Sequence, residues 1–136
     1  MQTTGFDHIV LNVSDLERSR RFYATVLGFD LHTIPSDFPH PIFAGCHYFA
    51  VGALEVFLIS HRTNQPGDSF SEFRIGLDHL SFKAPDEAAL HALVERLREH
   101  GVPTNGVESF IGGQQYVAFR DPDNIQLEYW LSRSHG

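Results

Sequence analysis

Two short runs, FDHIVLNV at residues 6–13 and LDHLSFKA at residues 77–84, each set an Asp-His pair at the head of an apolar stretch. His8 and His79 stand 71 residues apart, and the same order of elements follows each. Residues 8–13 of the first run are rich in Val, Ile and Leu and predict a buried strand. Ser14 or Asp15 then caps a helix. Its face carries Leu16, Ser19, Phe22, Tyr23, Val26 and Leu27, and Gly28 stops it. A strand over 29–34 gives way at Pro35, and PSDFPHPIFAG, residues 35–45, predicts a proline-rich loop. Strands over 47–51 and 54–60 flank a tight turn at Gly52-Ala53.

The second half replays this order. A strand over 77–82 leads to a helix entered at Pro85-Asp86, with a buried stripe of Leu90, Leu93, Val94 and Leu97 and a stop at His100-Gly101. A short strand over 102–107 follows. Strands over 116–119 and 125–131 are joined by the turn sequence DPDN, Asp121 to Asn124. The helix-ending glycines, Gly28 and Gly101, are 73 residues apart, close to the spacing of the histidines. The chain therefore reads as an internal duplication, strand–helix–strand–strand–strand twice, in the α+β class. The half-repeats cover about 5–60 and 76–132, with HRTNQPGDS opening a linker over 61–75. Each half is too small to bury a sufficient core alone, so one domain over 1–136 is expected, its halves packing on each other or on a partner chain.

Composition removes several classes of function. A formal net charge of −7 argues against nucleic acid as a partner, because phosphate binding needs a basic face. No apolar run approaches the roughly 20 residues that span a bilayer. The N-terminus, MQTTGFDH, has neither a basic n-region nor an apolar h-region, so no signal peptide is expected. The lone cysteine, Cys46, precludes an intrachain disulfide and suits the cytoplasm. The 12 phenylalanines are first of all core residues, some of them available to line a pocket.

One histidine in a strand is usually a satisfied core ring. Two at equivalent positions of two half-repeats are different, because pseudo-symmetry can direct both rings at one place, and paired neutral imidazoles suit a divalent metal. Glu128 interrupts the apolar run 125–131 and is the candidate third ligand, since a buried carboxylate without a partner is costly. Two histidines and one carboxylate form a facial triad that leaves coordination positions open.

With these residues in place, the sequence resembles the vicinal oxygen chelate superfamily, which includes glyoxalase I, extradiol dioxygenases, fosfomycin-resistance enzymes and bleomycin-binding proteins. FDHIVLNVSDLERSRRFYATVLGF resembles the family's first strand and helix, GLDHLSF its second-half opening strand, and FRDPDNIQLEYW its closing hairpin. The resemblance covers essentially the whole chain. It implies paired βαβββ units forming a cupped, incomplete barrel, often within a homodimer. It also implies metal ligands at His8, His79 and Glu128, holding Fe2+, Mn2+, Ni2+ or Zn2+. The chemistry implied is bidentate binding of a substrate's vicinal oxygens, with the ion stabilising an enediolate or activating dioxygen.

A fourth ligand, as in glyoxalase I, would come from the first half. An offset of 71 residues puts it at Phe57 and one of 73 at Glu55, on the same strand face. Counting forward from each hairpin turn favours Phe57, which leaves three protein ligands. Glu55, Phe57, Phe49, Tyr116 and Trp130 are expected to line the substrate pocket. His40, His47 and His61 lie in or beside loops and weigh less. The alternative function is a non-catalytic protein that sequesters an aromatic antibiotic or metabolite in a cup lined by Phe38, Phe43, Phe49, Phe57 and Trp130.

Overall fold

A computed structural model describes residues 1–132 and divides the chain into two compact units, Met1–Asp68 and Ser69–Gly136. Each unit is a βαβββ repeat around a four-stranded mixed sheet.

In the first unit, β1 (His8–Asn12) leads to α1 (Leu16–Arg21). Asp15 caps α1, its carboxylate accepting from the Arg18 N–H at 2.9 Å. The helix then widens into a π turn over Phe22–Val26, where the Leu27 N–H donates to the Phe22 carbonyl at 3.0 Å. Strands β2 (His32–Thr33), β3 (His47–Val51) and β4 (Leu54–Ile59) complete the unit in the sheet order β1-β4-β3-β2. Only β1–β4 is parallel. The β3–β4 hairpin turns at Gly52, whose φ of 60° suits glycine.

The strand expected over 29–34 is reduced to two residues. Pro35 has no N–H to extend the ladder. Reciprocal bonds, Ile34 N–H to the Cys46 carbonyl and Gly45 N–H to the Ile34 carbonyl, instead close the base of the 35–45 loop. Alternation on the strands sends Leu11, Phe49, Val56 and Leu58 into the core with Phe22, Tyr23 and Val26 of the helix.

In the second unit, β5 (Leu80–Lys83) precedes α2 (Glu87–Glu99), capped by Asp86 through the Ala89 N–H at 2.8 Å. Leu90, Leu93, Val94 and Leu97 of α2 are buried, as the 3.6-residue pattern requires. Strands β6 (Val107–Ser109), β7 (Gln115–Arg120) and β8 (Gln126–Leu131) give the order β5-β8-β7-β6, again with one parallel pair, β5–β8.

The strand expected over 102–107 starts late. Pro103 cannot donate, Gly106 takes a φ of 81°, and Thr104 bonds the Gly106 N–H. The DPDN turn forms as the residue types require. Asp121 accepts from the N–H groups of Asp123 and Ile125, and Asn124 takes a left-handed φ of 68°.

The boundary between units falls inside the segment expected as a linker. Residues 69–75 belong to the second unit and are fastened to the β7–β8 turn. The Phe70 N–H donates to the Asp123 carbonyl, the Asn124 amide donates to the Phe70 carbonyl, and Arg120 grips Glu72 through two bonds of 2.7 and 3.1 Å. Among the described residues, no helix is long and apolar enough to cross a membrane.

Candidate metal centre

Both Asp-His pairs adopt one local geometry. His8 Nδ1 lies 2.6 Å from Asp7 Oδ1, and His79 Nδ1 lies 2.6 Å from Asp78 Oδ1. Each ring is partly exposed, with side-chain accessibilities of 50% for His8 and 39% for His79.

In the second unit, His79 Nε2 lies 3.5 Å from Glu128 Oε2, and the Glu128 side chain is only 15% exposed. Glu128 faces away from the core because its strand neighbours Leu127 and Tyr129 take the opposite side. Trp130, two residues on, donates its indole N–H to Glu128 Oε2. The Trp130 ring stacks on Tyr116 at 4.9 Å and 11°, and Phe110 meets it edge-on. Tyr116 and Trp130 are direct cross-strand partners, as are Ala118 and Glu128. Desolvation, followed by the neighbouring Glu108, pushes the Tyr116 hydroxyl above its ordinary pKa, which keeps it a proton donor.

In the first unit, the face of the sheet opposite the helix carries His8 and Val10 on β1, Glu55 and Phe57 on β4, and Tyr48 on β3. Phe57 is its hub. It meets His8 edge-on at 5.7 Å, stacks with Tyr48 at 5.4 Å, and receives the edge of Phe43 from the 35–45 loop at 5.7 Å. Glu55 lies on the same face, exposed, two residues before Phe57.

Strand register decides which first-half residue is equivalent to Glu128. Ser81, two residues beyond His79, pairs with Glu128; Val10, two residues beyond His8, pairs with Phe57. Phe57 therefore holds the place equivalent to Glu128, and Glu55 that of Gln126.

One expectation is corrected. Phe49 does not line this face. It is fully buried on the helix side, stacked between Tyr23 at 5.4 Å and Phe29 at 4.4 Å, because its strand position has the opposite parity to Tyr48. His47 opens β3, as expected of a strand over 47–51, and is buried, 8% exposed, with Nδ1 2.9 Å from the Thr33 hydroxyl. Burial, then the nearby Arg20, holds its ring below the ordinary imidazole pKa, so it is neutral.

The structure brings His79 and Glu128 together. Among the described residues, no group of three or more His, Cys, Asp or Glu side chains is assembled to hold a metal ion. The donor chemistry of the assembled pair nevertheless fits one. Two ligands bonded to a common ion at about 2.0–2.2 Å are themselves roughly 3–3.5 Å apart, which matches the His79–Glu128 separation.

Comparison with known proteins gives a consistent picture. Residues 5–129 match the family described as Glyoxalase/Bleomycin resistance protein/Dioxygenase superfamily. A solved glyoxylase/bleomycin resistance protein/dioxygenase domain from Frankia sp. EAN1pec is 31% identical, with a TM-score of 0.82 over 99% of this chain and 96% of that one. Lactoylglutathione lyase from Agrobacterium tumefaciens is 19% identical, with a TM-score of 0.70 over 99% and 98%. A genomically encoded fosfomycin resistance protein from Listeria monocytogenes is 19% identical, with a TM-score of 0.69 over 98% and 97%. The last two likenesses are of fold alone. No curated protein sequence matches the chain.

Proposed function

The chain belongs to the Glyoxalase/Bleomycin resistance protein/Dioxygenase superfamily, and from that premise we propose that it is a metal-dependent enzyme acting on a small substrate that binds a divalent ion through two adjacent oxygens. The proposed protein ligands are His8, His79 and Glu128. The observation that carries this reading is the facing of His79 Nε2 and Glu128 Oε2 at 3.5 Å. With Nδ1–H given to Asp78, Nε2 presents a lone pair towards a carboxylate oxygen, and two such donors call for a cation between them. The ion, Fe2+, Mn2+, Ni2+ or Zn2+, would supply Lewis acidity or redox chemistry at substrate oxygens.

The chain's own residues bind and orient. Phe57 puts an apolar ring at the first-half register position equivalent to Glu128, so the first unit offers no carboxylate there. Trp130 fixes the Glu128 carboxylate through its indole N–H, and Tyr116 offers a hydroxyl near the same face. Glu55, exposed on the same face, is the cross-strand partner of His8.

A second reading rests on the aromatic array of Phe43, Tyr48 and Phe57. Such a surface suits a planar ligand held without turnover, as a sequestering protein would hold it. Two further features belong to the proposal. Exposed apolar side chains at Phe6, Phe73 and Ile75 are what a homodimer interface would cover, and a buried free thiol at Cys46 suits the cytoplasm. A monomer in sedimentation at micromolar concentration would remove the dimer.

Metal analysis of protein purified without chelator tests the main reading. It should find about one divalent ion per chain, and turnover of vicinal-oxygen substrates should stop on chelation. Tight ligand binding that persists in chelator, with no ion present, would favour the sequestering protein instead.

A further inference from the structure

The same four-residue arrangement opens both repeats, and neither the fold nor the ligand set requires it. It reads Gly5-Phe6-Asp7-His8 in the first and Gly76-Leu77-Asp78-His79 in the second. The two glycines take nearly the same unusual φ, 141° and 146°, and a side chain at either would meet nothing within 4 Å. Glycine is therefore needed there for backbone direction and not for space. Successive side chains of a regular strand point to opposite faces, so an aspartate should not reach the ring of the next residue. Here the glycine turns the chain just ahead of the ladder, and Asp Oδ1 meets His Nδ1 at 2.6 Å in both places. Neither aspartate has packing to explain it. Their side chains are 96% and 68% exposed, and an exposed contact of this kind adds little stability.

We propose that Asp7 and Asp78 are positioning residues that hold His8 and His79 in the Nδ1–H tautomer and so present Nε2 of each ring as the free donor. The metal part of this inference rests on the function proposed above; the tautomer part does not. The imidazole nitrogen that carries the proton is set by the hydrogen bond that nitrogen makes. A carboxylate can only accept, so its contact with Nδ1 fixes the proton there and leaves the Nε2 lone pair outward. In the second unit that lone pair points towards Glu128. A carboxylate behind a ligating ring also raises the ring's basicity and fixes its plane.

The test uses 15N-histidine NMR of the metal-free protein at about pH 8.5, above the ordinary imidazole range. In the wild type, His8 and His79 should show the Nδ1–H pattern. Asp78→Ala should move His79 towards Nε2–H and leave His8 unchanged, and Asp7→Ala should do the reverse. Asp78→Glu keeps an acceptor-only carboxylate and should restore the wild-type pattern, whereas Asp78→Asn can donate its amide N–H to Nδ1 and should move His79 towards Nε2–H. An Nε2–H pattern in the wild type, or a His79 signal unmoved by Asp78→Ala, would overturn the proposal.

Zn2+ titration then reads the consequence. Asp78→Ala should weaken binding about 10-fold or more, with far-ultraviolet circular dichroism unchanged. Equal affinity despite a changed tautomer would overturn the positioning role. A wild type that takes up no Zn2+ yet shows the tautomer changes would sink the enzyme reading and leave the Asp-His assignment standing.

Discussion

Phe57 occupies, in the first sheet, the register position that Glu128 occupies in the second. One half of the duplicated fold has an aromatic ring where the other has a carboxylate. Glu55 is one strand period away, about 6.5–7 Å along the backbone, and holds the register position of Gln126. Glu55→Gln should therefore leave metal affinity nearly unchanged in a calorimetric titration. A loss of about 10-fold or more, at least roughly 1.4 kcal/mol, would make Glu55 a ligand and move the chemistry towards four-ligand isomerase sites.

Phe49 and Phe57 should separate in stability. Phe49 is fully buried between Tyr23 and Phe29, so Phe49→Ala should cost about 3–5 kcal/mol in urea unfolding. Phe57 is half-buried on the other face, and Phe57→Ala should cost about 1–2 kcal/mol. Comparable losses would mean that Phe57 is a core residue.

These two phenylalanines also mark how far the sequence was legible. The spacing of His8 and His79, the caps at Asp15 and Asp86, and the DPDN turn were readable, because each depends on local chemistry. Period-two alternation in HYFAV says that Tyr48 and Phe49 take opposite sides, but not which side the helix covers. Phe49 was misplaced for that reason. The shortened β2 follows from Pro35 and from the closure of the 35–45 loop by Ile34, Gly45 and Cys46, a non-local arrangement. The 69–75 segment looked like linker because its ties, Phe70 with Asp123 and Asn124 and Glu72 with Arg120, are all distant in sequence, the Asn124 and Arg120 bonds spanning 54 and 48 residues. Among the site residues, the His79–Glu128 proximity depends on β5 pairing with β8, which only the repeat suggested.

The Arg120 guanidinium holds the Glu72 carboxyl at a pKa of about 2, down from 4.5. A folded-state pKa below the unfolded one means stability that is present above pH 4.5 and lost as pH falls through about 2. Both groups are partly exposed, at 21% and 36%, so the effect is screened and modest. Glu72→Gln should lower the melting temperature at pH 7 and at pH 4.5, with the difference closing as pH falls below about 4. A difference that persists at pH 2 would contradict the pair's role.

His47 gives a second acid response. Its folded pKa lies below 6.5 because the buried ring resists protonation. The contribution is complete above pH 6.5 and declines as pH falls below it, since the unfolded chain takes a proton that the folded one refuses. His47→Gln should flatten the melting-temperature profile just below pH 6.5. An unchanged slope there would assign that pH dependence to other groups.

Zn2+ and Mn2+ titrations of the wild type and of His8→Ala, His79→Ala and Glu128→Ala, run beside thermal melts, test the metal centre most directly. The wild type should bind about one ion per chain. Each variant should lose about 100-fold or more, roughly 2.7 kcal/mol, while its melting temperature without metal stays within a few degrees of the wild type, because the helix-side cores of both units are untouched. A wild type that takes up no ion, with all three variants failing to fold, would make these residues structural and contradict the metal centre.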